Sequence, residues 1–401
     1  MVRSTNNVWL HRFACALAFA TLLLVGLGGV VTTKGVGMAV PDWPTTYGDH
    51  MFFFPPSKWM AGIFDEHSHR LWASLVGMLA AAFAIWVWVR DSAGRQRLVG
   101  VAAMIAGLGL MGVRTPGVFV IVACVCVGVI AYAIPRAIRD SKRLRWLGVI
   151  VFAAVIIQGV LGGLRVLLDE HGWGTEFGIF HALLAQLFFL FVCSLALITS
   201  KWWQRANTNE LNAATASRLK TAFLATTVLI FVQLLFGATM RHQHQGLAVP
   251  DLPLAYGKLW PATDVASVEL YNAHRLEAAG EQPISAFHIN VHMLHRYTGV
   301  VALLAIGACA VIAWRNTRAG STLRKVSLAW VAVGLIQVAL GILSILSQRK
   351  VDLTTAHVAV GALTFLLGWL AVLMVARLNS ARRAQVMSFE PVFNSAEVKH
   401  A

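Results

Sequence analysis

Apolar runs of roughly twenty residues recur along this 401-residue chain, each closed off by a short polar segment. As a helix, such a run covers the ~30 Å of a bilayer's hydrocarbon core. The pattern predicts about ten spans, near 10–31, 69–89, 98–113, 117–134, 147–168, 178–199, 219–240, 293–314, 326–347 and 353–376. The third and fourth are short, and Arg114-Thr115-Pro116-Gly117 between them reads as a turn. The predicted fold class is therefore all-α and integral to a membrane. With 58% apolar and only 13% charged residues, the composition excludes an ordinary soluble domain.

Charge changes the picture in one respect. A net charge of +15 would point to nucleic acid in a soluble protein. Here the cations gather in alternate loops: Arg90, Arg95 and Arg97; Arg136, Arg139, Lys142, Arg143 and Arg145; Lys201, Arg205, Arg218 and Lys220; Arg315, Arg318, Arg324 and Lys325. Arg3, Arg12, Arg377, Arg382 and Arg383 flank the ends. That bias predicts both termini in the cytoplasm, the long loops 32–68 and 241–292 outside, and lipid rather than nucleic acid as the partner. Cys15, Cys124, Cys126, Cys193 and Cys309 all lie within apolar runs, so no disulfide or cysteine metal site is expected. The first run reads as a retained helix of a bacterial cytoplasmic membrane, not as a leader.

The chain also repeats itself. Val40-Pro41-Asp42-Trp43-Pro44-Thr45-Thr46-Tyr47-Gly48 returns as Val249-Pro250-Asp251-Leu252-Pro253-Leu254-Ala255-Tyr256-Gly257. His69-Arg70 returns as His295-Arg296, and Gln158-Gly159-Val160-Leu161-Gly162-Gly163 as Gln337-Val338-Ala339-Leu340-Gly341. His181 and His357 follow those glutamines. Two four-helix units of the same orientation are expected: 10–199, interrupted by a hydrophobic hairpin at 98–134, and 219–376, before a cytoplasmic tail at 377–401. Such parallel units are related by an axis along the membrane normal.

Ionisable side chains in membrane helices carry function by default. His69, His181, His295 and His357 sit on four separate spans, all near the outward ends. Zinc and copper sites gather ligands at shorter spacings, usually with thiolate or carboxylate. One histidine from each of two helices, in an apolar setting, suits a haem held between two imidazoles. Gly28, Gly29, Gly162, Gly163, Gly237 and Gly341 would let a flat macrocycle or a neighbouring helix approach closely. Arg70 and Arg296 are candidates for haem propionates. The halves differ three residues before the histidine, where Glu66 stands in one and His292 in the other, so the two sites are expected to do different work.

The ordered motifs Glu66-His67-Ser68-His69-Arg70, Pro41-Asp42-Trp43-Pro44 and Gln158-Gly159-Val160-Leu161-Gly162-Gly163, with their echoes, resemble the haem A synthase family over about 10–376. The resemblance implies two pseudo-symmetric four-helix bundles and an oxidoreductase that converts the C8 methyl of haem O to a formyl group for cytochrome oxidase. It implies haem B between His295 and His357, substrate haem O between His69 and His181, and Glu66 as the functional glutamate. An electron carrier and the enzyme that makes haem O are the implied partners, and a homo-oligomer is compatible with the sequence. Two features depart from the family. Neither outer loop contains the cysteine pair of many relatives, and the 98–134 hairpin has no counterpart and is expected to be lipid-facing filler. The competing reading is a dihaem cytochrome b that only transfers electrons. Such cytochromes stack two haems through histidine pairs on shared helices, unlike the single-depth arrangement here. A transporter would show broken helices at the midplane, and a haem O synthase would need Asp-rich motifs absent from this sequence.

Overall fold

The computed structural model describes residues 7–112, 116–206, 211–279 and 282–379. Arg114 and Thr115 of the predicted turn, Arg3, Arg382, Arg383 and the tail beyond Asn379 lie outside them. The described residues form α1 (Val8–Thr33), α2 (Ala61–Asp91), α3 (Gly94–Leu110), α4 (Pro116–Arg139), α5 (Arg143–Leu167), α6 (Gly174–Thr199), α7 (Lys201–Arg205), α8 (Ala213–His242), α9 (Val265–Ala279), α10 (Ala286–Asn316), α11 (Thr322–Leu346) and α12 (Val351–Leu378). The first long loop adds a small antiparallel pair, β1 (Thr45–Thr46) and β2 (Asp49–His50).

Among the described residues, nine helices are long and apolar enough to cross a membrane, one fewer than predicted. The difference is α3, which has 17 residues and so extends only about 25 Å, with Arg95 and Arg97 in its first turn. The protein is thus an all-α, multi-pass membrane protein.

Helix α1 packs on α2 and α6, and α5 packs on the same two, closing a four-helix ring. Helices α8, α10, α11 and α12 close a second ring in the same order. The rings meet where α1 and α6 touch α12 and where α6 touches α8. Leu17, Phe83, Val151 and Leu195 fill the first ring. The second core, around Phe223, Ile306, Trp330 and Phe365, runs across the seam to Phe189 and Cys193 of α6. Helices in lipid gain little from hydrophobicity and depend on close contact. At Gly148 of α5 a Cβ would lie 3.2 Å from the Cα of Ala84 on α2, so this crossing needs the glycine.

The hairpin leaves one apolar face exposed, with Leu98, Ile121, Val125 and Ile138 outward, and packs the other on the body. Helix α4 lies along α5, and Met104 and Phe119 join Trp146 and Phe152 in a core of their own. Phe119 also packs on Trp43 of the first outer loop, ring centres 4.4 Å apart. The cysteines are all unpaired, as expected.

Helix starts differ from the hydrophobic pattern in an instructive way. Helix α2 begins at Ala61 and α10 at Ala286, well before the apolar runs at 69 and 293. The polar residues ahead of those runs are helical too, because the folded outer loops cover them. His69 and His295 therefore sit in the third turn of a helix, not at its head.

Candidate functional site

Each of the four histidines faces a glycine on the preceding long helix. A Cβ on Gly28 of α1 would stand 3.2 Å from Cε1 of His69; on Gly162 of α5, 3.1 Å from Cε1 of His181. On Gly237 of α8 it would stand 3.2 Å from Cε1 of His295, and on Gly341 of α11, 3.0 Å from Cε1 of His357. Each glycine lies in the last two turns of its helix and each histidine in the first three turns of its partner helix. The seats therefore share one end of the bundle. Contacts across the seam agree: Gly29 of α1 abuts Thr355 and Val358 of α12, and Gly35 abuts His244. A side chain at any of these four glycines would push the imidazole from its place.

The seats also share a hydrogen-bonding device, with one exception. Four residues before the glycine stands Gln158 on α5, Gln233 on α8 and Gln337 on α11. His295 Nδ1 donates to the Gln233 carbonyl at 3.2 Å, and His357 Nδ1 to the Gln337 carbonyl at 3.1 Å. The missing glycine side chain is what opens that helix carbonyl to the ring. The Gln158 amide nitrogen lies 3.1 Å from His181 Nδ1 and donates to the His181 carbonyl at 2.7 Å; Gln233 donates to the His295 carbonyl at 2.8 Å. On α1 the same position is Leu24, and His69 Nδ1 is buried without a hydrogen-bond partner. Gln233 went unnoticed in the sequence because its run lacks the flanking glycines, although Gln-x-x-x-Gly was there to be read.

The C-terminal ring encloses a cavity of about 540 Å³, a size usual for small-molecule sites. His295, His357, Gln233, Gln337, Gly237 and Gly341 line it, with Leu303, Ile306 and Val338 supplying apolar wall. The two imidazole centres are 6.4 Å apart at an interplanar angle of 69°. Two nitrogens each ~2 Å from one metal ion place their ring centres roughly 6 Å apart. Donor type, spacing, apolar wall and glycine clearance all fit an axially ligated haem. Iron ligation needs Nε2 as acceptor, and donation of Nδ1 to a carbonyl fixes that tautomer. Among the described residues no cluster of three or more histidines, cysteines or carboxylates could hold a bare metal ion.

Around each site the repeated loops share most of their hydrogen bonds. Arg70 donates through Nη1 to the Asp42 and Thr45 carbonyls and through Nη2 to the Val40 carbonyl. Arg296 reaches the matching Leu254, Val249 and Asp251 carbonyls. Tyr47 and Tyr256 hydroxyls donate to Ala39 and Ala248. Asp42 accepts from the Tyr47 and Gly48 amides, and Asp251 from those of Tyr256 and Gly257. Burial works against the charged Asp42, but hydrogen bonds from Gly48, Thr45 and Tyr47 outweigh it and hold the carboxyl below its ordinary range. The two arginines thus spend most of their donors on loop carbonyls.

Glu66 and His292 are equivalent as well. Glu66 Oε2 accepts from the Val40 amide at 2.8 Å, and His292 Nδ1 from the Val249 amide at 3.3 Å. Both pin the loop; only Glu66 brings a negative charge, and it is buried against Arg70 Nη2 at 2.6 Å. His67, its neighbour, turns the other way and packs between Phe54 and Trp59 with Nδ1 3.1 Å from Thr46 Oγ1.

Arg165 and Arg241 were not foreseen. They lie in the last turns of α5 and α8, just past the seat glycines. Arg165 is within electrostatic reach of His69 and His181, and Arg241 of His181 and His357. Among the described residues neither guanidinium makes a hydrogen bond or close ion pair, and Arg241 Nε is fully covered. Arg165 also lies within electrostatic reach of Glu66 and Asp169, and Arg241 of Arg165. An arginine inside an apolar run one turn beyond Gly162 and Gly237 was the available signal.

Known proteins agree with this architecture. Residues 11–369 match the family described as cytochrome oxidase assembly protein, COX15-CtaA. Similar proteins include the Heme A synthase of Geobacillus kaustophilus, 24% identical with 94% of each chain covered. That of Erythrobacter litoralis is 26% identical, over 88% of this chain and 93% of its own. That of Rhodopseudomonas palustris strain TIE-1 is 30% identical, over 88% and 84%. A duplicated glycine–histidine scaffold and a family match from the first span to the last place this chain in the COX15-CtaA cytochrome oxidase assembly protein family.

Proposed function

We propose that the chain is a haem A synthase that oxidises the C8 methyl of haem O to a formyl group, with a resident haem B for electron transfer. The observation that carries this reading is one scaffold built twice with different surroundings. The C-terminal ring has two anchored imidazoles across a cavity, suited to a permanent cofactor between His295 and His357. The N-terminal ring has His69 and His181 with a buried carboxylate, Glu66, three residues before the first. That ring takes haem O as substrate.

Methyl to formyl, with water as the oxygen source, releases four electrons and four protons; dioxygen is the other route. Bound haem iron supplies the one-electron chemistry. The chain's own residues do the rest. His295 and His357 hold haem B, and Gln233 and Gln337 orient them. Arg241, whose Nε is buried without a hydrogen-bond partner, and Arg165 would offer positive charge to the carboxylates of haems held here. Glu66 holds a proton or a negative charge beside the reacting substrate, kept in place by Arg70 and the Val40 amide. The cation-rich loops at the opposite end support cytoplasmic termini and outward-facing seats. Electrons leave to an external carrier, and haem O arrives from the enzyme that makes it.

The test is expression beside a haem O synthase in a host that makes no haem A, followed by extraction and mass identification of the bound haems. Haem A or its hydroxylated precursor is expected. Two equivalents of haem B with haem O untouched would instead make this an electron-transfer cytochrome.

A further inference from the structure

The C-terminal cavity is finished by a residue of the other half. Thr33, on α1 of the N-terminal ring, lines it together with Ser344 of α11 and Thr354 of α12. The repeat runs without a gap from Gly28–Val40 to Gly237–Val249, and it matches Thr33 with His242. Counted from the paired glutamines and histidines, Ser344 matches Arg165 and Thr354 matches Gly178. Three hydroxyl-bearing residues in one half are thus histidine, arginine and glycine in the other.

Those three residues meet. A Cβ on Gly178 of α6 would stand 2.6 Å from His242 Nδ1 and 3.3 Å from Arg165 Nε, so the glycine makes room for both side chains. Arg165 also spreads over Gly37 of the first outer loop, where a Cβ would run into its Nη2. His242 is only 8% exposed and lies within electrostatic reach of His181, and its Nε2 has no hydrogen-bond partner. Of the carboxylates within reach of Arg165, Glu66 is engaged by Arg70 and the Val40 amide, and Asp169 is exposed. An imidazole N–H and a guanidinium fork, converging beside His181 with donors unspent, suit a carboxylate. A haem carries two. We infer that His242, although it belongs to the C-terminal ring, completes the N-terminal site by binding, with Arg165, a carboxylate of the substrate haem. The C-terminal cavity has hydroxyls at these places and draws its cation, Arg241, from the neighbouring position on α8. This inference rests on the N-terminal pair being a haem site.

The experiment uses the purified full chain, with haem equivalents counted first, and follows the release of haem O to apomyoglobin. Wild type is expected to release the dimethyl ester of haem O about ten-fold faster or more than haem O itself, the scale of a lost hydrogen bond to a charged group. His242→Leu should speed the release of haem O about ten-fold and leave that of the ester unchanged, since the ester already lacks the bond. Haem B content should not change. Gly178→Ala, whose Cβ would displace the imidazole, should act in the same direction. Thr33→Val, at the matching place in the other half, should leave haem O release as it is. Equal release of haem O and its ester from wild type, or unchanged haem O release in both His242→Leu and Gly178→Ala, would overturn the inference alone. A single haem, unaffected by removing His69 and His181, would overturn the site reading and the inference together.

Discussion

In the C-terminal ring both imidazoles look across a cavity and both donate to a glutamine carbonyl. In the N-terminal ring one imidazole is held by Gln158 and the other by nothing, and a carboxylate stands where the other half has His292. Backbone, loop clamps and glycine seats are shared, so these few side chains carry the difference between the halves. The histidines and the glycines facing them are common to both halves, while the hydrogen-bond partners around them differ.

The strongest way to break the comparison is to remove a ligand from the anchored half. His295→Ala or His357→Ala should abolish the low-spin haem B spectrum of the purified protein, leaving at most one haem per chain. Next comes the carboxylate. Glu66→Gln should keep both haems, since the amide oxygen can still accept from Val40, yet lower haem O oxidation by ~100-fold, the scale of a lost proton-transfer group. The mirror change, His292→Glu, should not confer oxidation on the other half; product analysis reads both. If Glu66→Gln retains full turnover, the charge difference between the halves is structural.

A smaller effect is expected at Arg241. Arg241→Leu removes an unpaired cation from the seam, and haem B should then dissociate ~10-fold faster, at the low end of the cost of losing a charged partner. Dissociation to a haem scavenger measures it, and a haem whose carboxylates were rebuilt as esters should show no difference between the two proteins. Smallest is the loop pair. Because the Asp42 carboxyl is held below its ordinary range, its contribution to stability is complete above about pH 4 and is lost as pH falls through the folded value. Asp42→Asn should therefore destabilise the protein by ~1 kcal/mol at neutral pH and by less in acid, as thermal melts across pH would show.

Much of this was legible in the chain. The spans follow from hydrophobic run length, the four histidines from repeat order, and all four seat glycines were among the small residues singled out. What could not be read were contacts that depend on facing across helices: Gly237 against His295, or Leu24 opposite an unpaired Nδ1, are seen only once α1 and α8 are placed beside their partners. The roles of Arg70 and Glu66 as loop clamps were hidden for the same reason, since their partners are backbone atoms of a folded loop. Helix α9 and the early starts of α2 and α10 escaped because hydropathy marks where lipid begins, not where the helix begins.

The placing of all four seats at one end of the rings has an energetic consequence. Carrying one elementary charge across a membrane at 100 mV costs or yields ~2.3 kcal/mol. On the proposed reading, an electron passed between haems in the two halves would travel along the membrane plane, through almost none of that field. Such a transfer would neither draw on the membrane potential nor be opposed by it.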